Sequence, residues 1–353
     1  MGQESESHPS NVYLAIPAIL GIGFMLHIAQ SFMVPFVVAV LLAILFAPFQ
    51  VFLRRKGVPS VLGSLIIFVI IFSVFTILGF CLYGSIRSVL ANSNKYAEKF
   101  NFILVQIADF AKTRLDYDLE KHIWNSENGQ ILTFISPESV FETIEASLGS
   151  FVGFFSNLLT MLLFLMFMLL SRETLKRKIY EFLNSQRVED QAGRLMLNSI
   201  VEQIQDYLWL KSLISISTGF SVWLAAIILG LDFAIVWGFL AFLLNFIPSI
   251  GPILAAIPPI LLAVFQYFDY LGWALLIAIV MVLIQFISGN IVEPKLMGDR
   301  LNLNILVVLL CLFVWGMIWG FVGMILSVPL TASLNIIFNN SRRYRHISIL
   351  LSN

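Results

Sequence analysis

Six apolar runs, each about as long as the twenty residues a bilayer crossing needs, divide this chain at 12–30, 32–53, 60–85, 150–171, 208–230 and 271–288. With no water in the bilayer core, a backbone must satisfy its own polar groups, so runs of this length fold as helices. The expected fold class is therefore an all-α polytopic membrane protein. Composition agrees, since 59% of the 353 residues are hydrophobic and only 12% are charged, proportions that suit a bilayer better than water.

Two further apolar regions, 233–268 and 304–338, are too long for one straight crossing. Each would measure about 50 Å at 1.5 Å per residue, against a hydrocarbon core of about 30 Å. Each must fold back or break, which brings the expectation to about eight transmembrane segments including broken or re-entrant hairpins. The first region contains NFIPSIGPILAAIPP at 245–259, with prolines at 248, 252, 258 and 259 and glycine at 251. Irregular backbone at membrane depth survives only where protein buries it or where it lines a wet cavity, so this stretch predicts a cavity; the alternative is a tight turn at the membrane surface. The second region echoes the first. Ile250-Gly-Pro-Ile-Leu-Ala-Ala-Ile-Pro258 lies beside Val322-Gly-Met-Ile-Leu-Ser-Val-Pro329, sharing Gly-x-Ile-Leu with one residue of difference before the proline. Two similar hairpins are the expectation.

Basic residues next to spans favour the cytoplasm. Arg54, Arg55 and Lys56 follow the second span, Lys176, Arg177 and Lys178 the fourth, and Arg342, Arg343 and Arg345 stand near the end of the chain. Both termini are thus expected in the cytoplasm, with 86–149 outside as a small helical domain. Ser136-Pro137-Glu138 reads as a helix start there. The inner segment 172–206 reads as a pair of amphipathic helices near the membrane surface. The resulting divisions are N-terminal spans at 1–85, the outer domain at 86–149, a span with inner amphipathic helices at 150–206, a transport core of broken helices at 207–338 and a tail at 339–353.

Enzyme templates fail. Ser288-Gly289 lacks the preceding Gly-x of an intramembrane serine protease, Gly298-Asp299 lacks the GxGD form, and there is no HExxH, no P-loop and no GxSxG. The four histidines are too scattered for a zinc site, so neither a metal nor a cofactor is expected, and catalytic residues are not assigned. Cys81 and Cys311 read as buried hydrophobes. With 21 basic and 21 acidic residues, the net charge gives no basic surface for nucleic acid.

The substrate-path candidates are the residues of the breaks and the amides beside them: Asn245, Pro248, Gly251, Pro252, Gln285, Asn290, Gly323 and Pro329. Asn245, Gln285 and Asn290 can hydrogen-bond an uncharged polar solute, or else bond between helices. Glu293, at the end of an apolar run and before Pro294, is the coupling candidate, because a carboxyl at such a boundary can carry a proton; an ion pair with Lys295 or Arg300 is the alternative. His27, Gln30 and Asn157 read as interfacial, Trp315 and Trp319 as anchors or packing, and Asp232 and Asp269 as turn residues. Gly149-xxx-Gly153 permits self-association, so a homo-oligomer is expected.

WGFLAFLLNFIPSIGPILAAIPP, GNIVEPKLMGDRLNL and VWGMIWGFVGMILSVPL together resemble the autoinducer-2 exporter family of multi-pass membrane transporters. The resemblance extends over nearly the whole chain, including Pro35, Arg54-Arg55-Lys56 and the outer insert. Its pattern falls on Asn245, Pro248, Gly251, Pro252, Glu293, Pro294, Gly298, Gly323 and Pro329. It implies export of autoinducer-2, a small furanosyl polyol used as a quorum-sensing signal, across the bacterial inner membrane. Other members are linked to sodium/proton antiport, so a monovalent cation antiporter is the second expectation and a non-transporting scaffold the third.

Overall fold

Helices make up the regular structure of the described residues, and no strand occurs among them. The computed structural model describes residues 10–91, 102–103, 105–106, 112–113, 137–185, 190–297 and 304–340. The long elements are α1 Ser10–Ile28, α2 Gln30–Arg55, α3 Ser60–Ala91, α4 Pro137–Ser185, α5 Asp190–Ile228, α6 Ala234–Leu244, α7 Ile250–Gln266, α8 Leu271–Ile287 and α10 Ile305–Asn340; a π-helical turn, Ser288–Val292, and the short α9, Glu293–Met297, lie between the last two. Six stretches among the described residues are long and apolar enough to cross a membrane, with α6 and α7 as shorter apolar helices. The chain is an all-α polytopic membrane protein.

Most of the segment expected as an outer domain, 86–149, lies outside the described residues, as do Gly298, Arg300 and the tail. Where α4 begins, the expected start at Pro137 holds. The inner helix pair takes a different form. The first half of 172–206 is the end of α4, a single helix of 49 residues, and the second half is the beginning of α5, of 39 residues. At 1.5 Å per residue α4 is about 74 Å long, more than twice the hydrocarbon thickness, so the polar stretches are extensions of the spans and not separate helices.

Contacts divide the chain into two compact units, one taking in 1–68, 160–211 and 297–353, the other 69–159 and 212–296. The core drawn at 207–338 falls partly in each. In the first unit, Leu41, Ile204, Tyr207, Leu208, Trp319, Leu326 and Val328 form a buried apolar cluster. Gln50, 7% exposed, donates to Ser64 Oγ and to the Leu169 carbonyl, both at 3.1 Å. Arg54 meets Glu173 at 3.4 Å and Arg172 donates to the Ala47 carbonyl. The basic end of α2 therefore lies beside Arg172 and Glu173 of α4.

In the second unit, α5 and α6 cross backbone against backbone. A Cβ on Gly238 would stand 2.5 Å from Trp223 Cβ and 2.8 Å from the Gly219 carbonyl, and one on Gly219 would stand 2.7 Å from the Gly238 carbonyl. Small residues permit this approach where lipid supplies no hydrophobic drive. Gly238→Ala is expected to push α6 away and cost about 1–3 kcal/mol, as overpacking does. Thermal unfolding of the purified variant in detergent checks this, and a midpoint equal to that of the unsubstituted protein would refute it.

Both long apolar regions break, as expected. The first breaks between α6 and α7, where Ser249 takes φ 59° and Ile250 N–H donates to the Pro248 carbonyl. The second breaks inside α10 at Trp319 and Gly320, whose φ is 61°. The prolines do not act alike. Pro248 stands in the break. Pro252 occupies the first turn of α7, where a missing N–H costs no helix bond. Pro258 and Pro259 sit within α7, whose helix continues past them to Gln266. At 11 residues α6 is only about 16 Å long, too short by itself to cross a hydrocarbon core of about 30 Å.

Each hairpin closes on a glycine. A Cβ on Gly251 would lie 1.9 Å from the Leu244 carbonyl oxygen, seven residues back, and one on Gly323 would lie 1.9 Å from that of Trp315, eight residues back. Those carbonyls would be more than 10 Å away along a straight helix.

Candidate functional site

Helix ends within the second unit set the depth of its polar residues. The last carbonyls of α5 have no partners within the helix, and side chains from α7 and beyond satisfy them. Gln266 Nε2 and Tyr267 OH each donate to the Gly230 carbonyl at 2.8 Å, and Trp273 Nε1 donates to that of Leu229 at 3.1 Å. Trp237 Nε1 donates to the Asp232 carbonyl at 2.8 Å. The end of α5, the start of α6, the end of α7 and the start of α8 are thus tied together. Ser215, Asn245 and Gln285 lie 13, 11 and 14 residues from that end along α5, α6 and α8, which is about 16–21 Å at 1.5 Å per residue. Three helices bring polar side chains to one depth.

Those side chains meet. Asn245, the residue that ends α6 at the break, is 1% exposed and donates from Nδ2 to Ser215 Oγ at 3.0 Å. One turn further along α5, Thr218 Oγ1 donates to the Ile214 carbonyl and pairs with Ser288 Oγ. Since the threonine hydrogen is already used, Ser288 is the donor in that pair. Gln285, three residues before Ser288, is 5% exposed. Two acceptors remain without a partner, Asn245 Oδ1 and Gln285 Oε1. A buried amide oxygen left unpaired costs on the order of 1–3 kcal/mol, so a fold that keeps two has a use for them. The five side chains are uncharged, and together they can accept hydrogen bonds from a polar solute or coordinate a cation through neutral oxygens.

The π-helical turn Ser288–Val292 shapes the rim of this cluster. Such wide turns inside helices often mark functional sites. A Cβ on Gly289 would stand 3.7 Å from Pro252 Cγ, which puts the turn beside the first residues of α7. The sequence-predicted Asn245, Pro248, Gly251, Pro252 and Gln285 therefore come together around one hairpin tip. Asn290 does not join them, since it is exposed and bonds the Phe286 carbonyl of its own helix. Glu293 is half-buried and opens α9, its N–H donating to the Ser288 carbonyl across the π turn.

Gly323 and Pro329 belong to the second hairpin, in the first unit, and both are buried. His27 and α10 meet there. His27 Nδ1 donates to the Ile318 carbonyl at 2.8 Å, and Trp319 Nε1 donates to the Leu26 carbonyl at 3.1 Å. The end of α1 thus caps a carbonyl at the break in α10, a structural role that its interfacial position did not announce. Trp315 and Trp319 pack ring to ring at 5.3 Å. Gln30 and Asn157 are exposed.

A family model described as AI-2E family transporter matches residues 14–343. The chain belongs to the AI-2E transporter family. It is 33% identical over 327 residues to the AI-2 transport protein TqsA of Escherichia coli strain K12, a match spanning 93% of this chain and 91% of that protein. It is 32% identical over 339 residues to a putative transport protein of Haemophilus influenzae, spanning 96% and 95%. A more distant relative, the putative transport protein YrrI of Bacillus subtilis, is 23% identical over 328 residues.

Sequence reasoning missed part of the site in this AI-2E transporter. Ser215, Thr218 and Ser288 look like ordinary hydroxyl residues in apolar runs, where Ser and Thr commonly bond their own helix carbonyls. Gly219 and Gly238 lie too far apart in the chain to form a visible motif. One signal was available: Ser215 and Thr218 stand at i and i+3, the spacing of one helix face, within an otherwise apolar stretch.

Proposed function

We propose that this AI-2E transporter exports a small, polar, uncharged metabolite across the bacterial inner membrane, with autoinducer-2 as the solute. The observation that carries the reading is the pair of buried, partnerless amide oxygens, Asn245 Oδ1 at the break between α6 and α7 and Gln285 Oε1 on α8. A hydroxylated solute fills them with its O–H donors, and the broken backbone supplies the irregular lining that substrate sites in secondary transporters use. The 33% identical relative whose printed name is AI-2 transport protein is the second support. Glu293, just beyond the π turn, is the proposed proton-coupling group, and the solute moves against its gradient as this carboxyl takes and releases a proton.

Both termini are proposed to be cytoplasmic. The basic residues at the end of α2 and those just after the fourth predicted span lie near one another in the chain's fold, since Arg54 meets Glu173 at 3.4 Å, which suits a shared cytoplasmic face. Solute and lipid are the proposed partners, and a homo-oligomer is proposed in addition, since a Cβ on Gly153 would meet nothing within 4 Å. The second reading, monovalent cation/proton antiport, draws on the same neutral oxygens, which can also coordinate sodium.

Uptake of autoinducer-2 into everted vesicles under an imposed proton gradient tests the first reading. Gradient-driven uptake is expected, with Glu293→Gln reducing the concentrative component by about tenfold or more, the range typical of losing a positioned proton-transfer group. Equal uptake in that variant would leave Glu293 a structural residue. No uptake in either protein, together with sodium-dependent dequenching of a pH dye, would replace the exporter with the antiporter.

A further inference from the structure

Ser215 belongs to the second unit, lies within the candidate span Asn198–Ile228 and is wholly buried, at 0% exposure. Serines and threonines inside helices commonly place their hydrogen on the carbonyl one turn back. Two neighbours on α5 do so: Thr218 donates to the Ile214 carbonyl and Ser221 to that of Ser217, both at 2.8 Å. Ser215 does not. Among the described residues its one hydrogen bond is the one it accepts, from Asn245 Nδ2 at 3.0 Å, so the serine hydrogen is unused. Asn245 is 1% exposed, and its Oδ1, on the same amide as the nitrogen that bonds Ser215, has no partner. An open donor and an open acceptor therefore stand side by side on two side chains joined by one hydrogen bond. Turning the amide over exchanges the roles without changing the sum, because Ser215 would then donate to Oδ1 and leave the amide N–H groups open beside the serine oxygen.

The surrounding backbone holds this pair in place. α5 and α6 touch at Gly238 and at Gly219, one turn from Ser215. Asn245 N–H donates to the Ala241 carbonyl at 3.0 Å, and Gly251 closes on the Leu244 carbonyl directly before Asn245. A solute hydroxyl is the complement of the pair, since one O–H group accepts at its oxygen and donates its hydrogen. An ether or ketone oxygen can use only the donor, and a cation only the acceptor. We infer that Ser215 and Asn245 together read a single hydroxyl of the solute, the Ser215 hydroxyl donating to the solute oxygen while the solute hydroxyl donates to Asn245 Oδ1. Ser215 is then a specificity-determining residue, selecting hydroxyl-bearing solutes over ethers, ketones and cations of similar size. The inference rests on the transport reading above and extends it from a partnerless amide oxygen to the serine bonded to that amide.

Calorimetry on the purified protein in detergent reads binding separately from transport. Autoinducer-2, and analogues of it each lacking one hydroxyl, are titrated into the unsubstituted protein and into Ser215→Ala, and uptake into everted vesicles is measured in parallel. One hydroxyl is expected to be read by Ser215. The analogue lacking it binds the unsubstituted protein about tenfold more weakly than autoinducer-2 does, the factor corresponding to 1.4 kcal/mol, and Ser215→Ala discriminates between the two severalfold less. A serine that only holds Asn245 in place would weaken autoinducer-2 and every analogue by one common factor, and that result would overturn the inference. Binding with the expected dependence on Ser215 but without uptake would keep the hydroxyl-reading pair and reject the transport of autoinducer-2. Uptake without that dependence would keep the transporter and reject the pair, and the absence of both binding and uptake would reject both. If Ser215→Ala does not accumulate in membranes, the unsubstituted protein decides alone: a hydroxyl whose removal and whose O-methylation each weaken binding supports the pair, and equal binding of all analogues overturns it.

Discussion

Gly251→Ala is expected to destabilise the folded protein strongly, and Gly323→Ala to do the same. In each case the added methyl would lie 1.9 Å from a backbone carbonyl oxygen, that of Leu244 or of Trp315. Neither clash can be relieved by turning a side chain, because the atom it meets belongs to the other arm of the same hairpin. The arms would have to part, which moves Asn245 off Ser215 in the first hairpin and Trp319 off Leu26 in the second. Overpacking that shifts backbone costs typically 1–3 kcal/mol and at times more, so a loss of about 3 kcal/mol is expected for either variant. Gly289→Ala is the control. Its new methyl would meet Pro252 at 3.7 Å, an ordinary contact, and it is expected to behave like the unsubstituted protein. Thermal unfolding in detergent compares the three, and wild-type stability in Gly251→Ala would mean that the hairpin tip is looser than described.

Gln285→Leu is expected to do the opposite to stability while removing function. The glutamine oxygen is buried and unpartnered, so replacing the amide with an apolar side chain of similar size relieves about 1–2 kcal/mol of desolvation cost and raises the unfolding midpoint. Solute uptake is expected to fall by about a hundredfold, because a buried apolar group facing a hydroxyl leaves that hydroxyl unpaired. Such a trade of activity for stability separates a binding residue from a packing residue. Asn245→Leu is expected to lose uptake as well but without the gain in stability, since Asn245 Nδ2 already bonds Ser215 and that bond goes too. A Gln285→Leu protein that is less stable and still transports would assign the glutamine to helix packing.

Much of this architecture was legible along the chain. Transmembrane helices need only a local property, a run of apolar residues of the right length, and α2, α3 and α8 fall where those runs are. The breaks were legible for a similar reason, because 35 apolar residues exceed a bilayer whatever the rest of the molecule does. Even the glycines of the two hairpins stood in matching motifs. The amphipathic pair of 172–206 was misjudged because a polar stretch after a span reads the same whether the helix stops or runs on, and nothing in α4 near residue 172 breaks it.

The sequence by itself determined the solvent, the type of the long elements, the two regions that must break, and Asn245 and Gln285 as amides near the apolar–polar boundary. Those follow from hydropathy, helix rise and backbone stereochemistry, which act between near neighbours in the chain. Only the tertiary structure decided which prolines break a helix, which polar residues meet, and which of them stay unpaired. Ser215, Asn245 and Ser288 come from three helices separated by 30 and 43 residues, and their union depends on Gly219 and Gly238 letting two backbones touch. Whether a buried amide oxygen finds a partner is settled by those long-range contacts, because its energy depends on what stands opposite it and not on its neighbours in sequence.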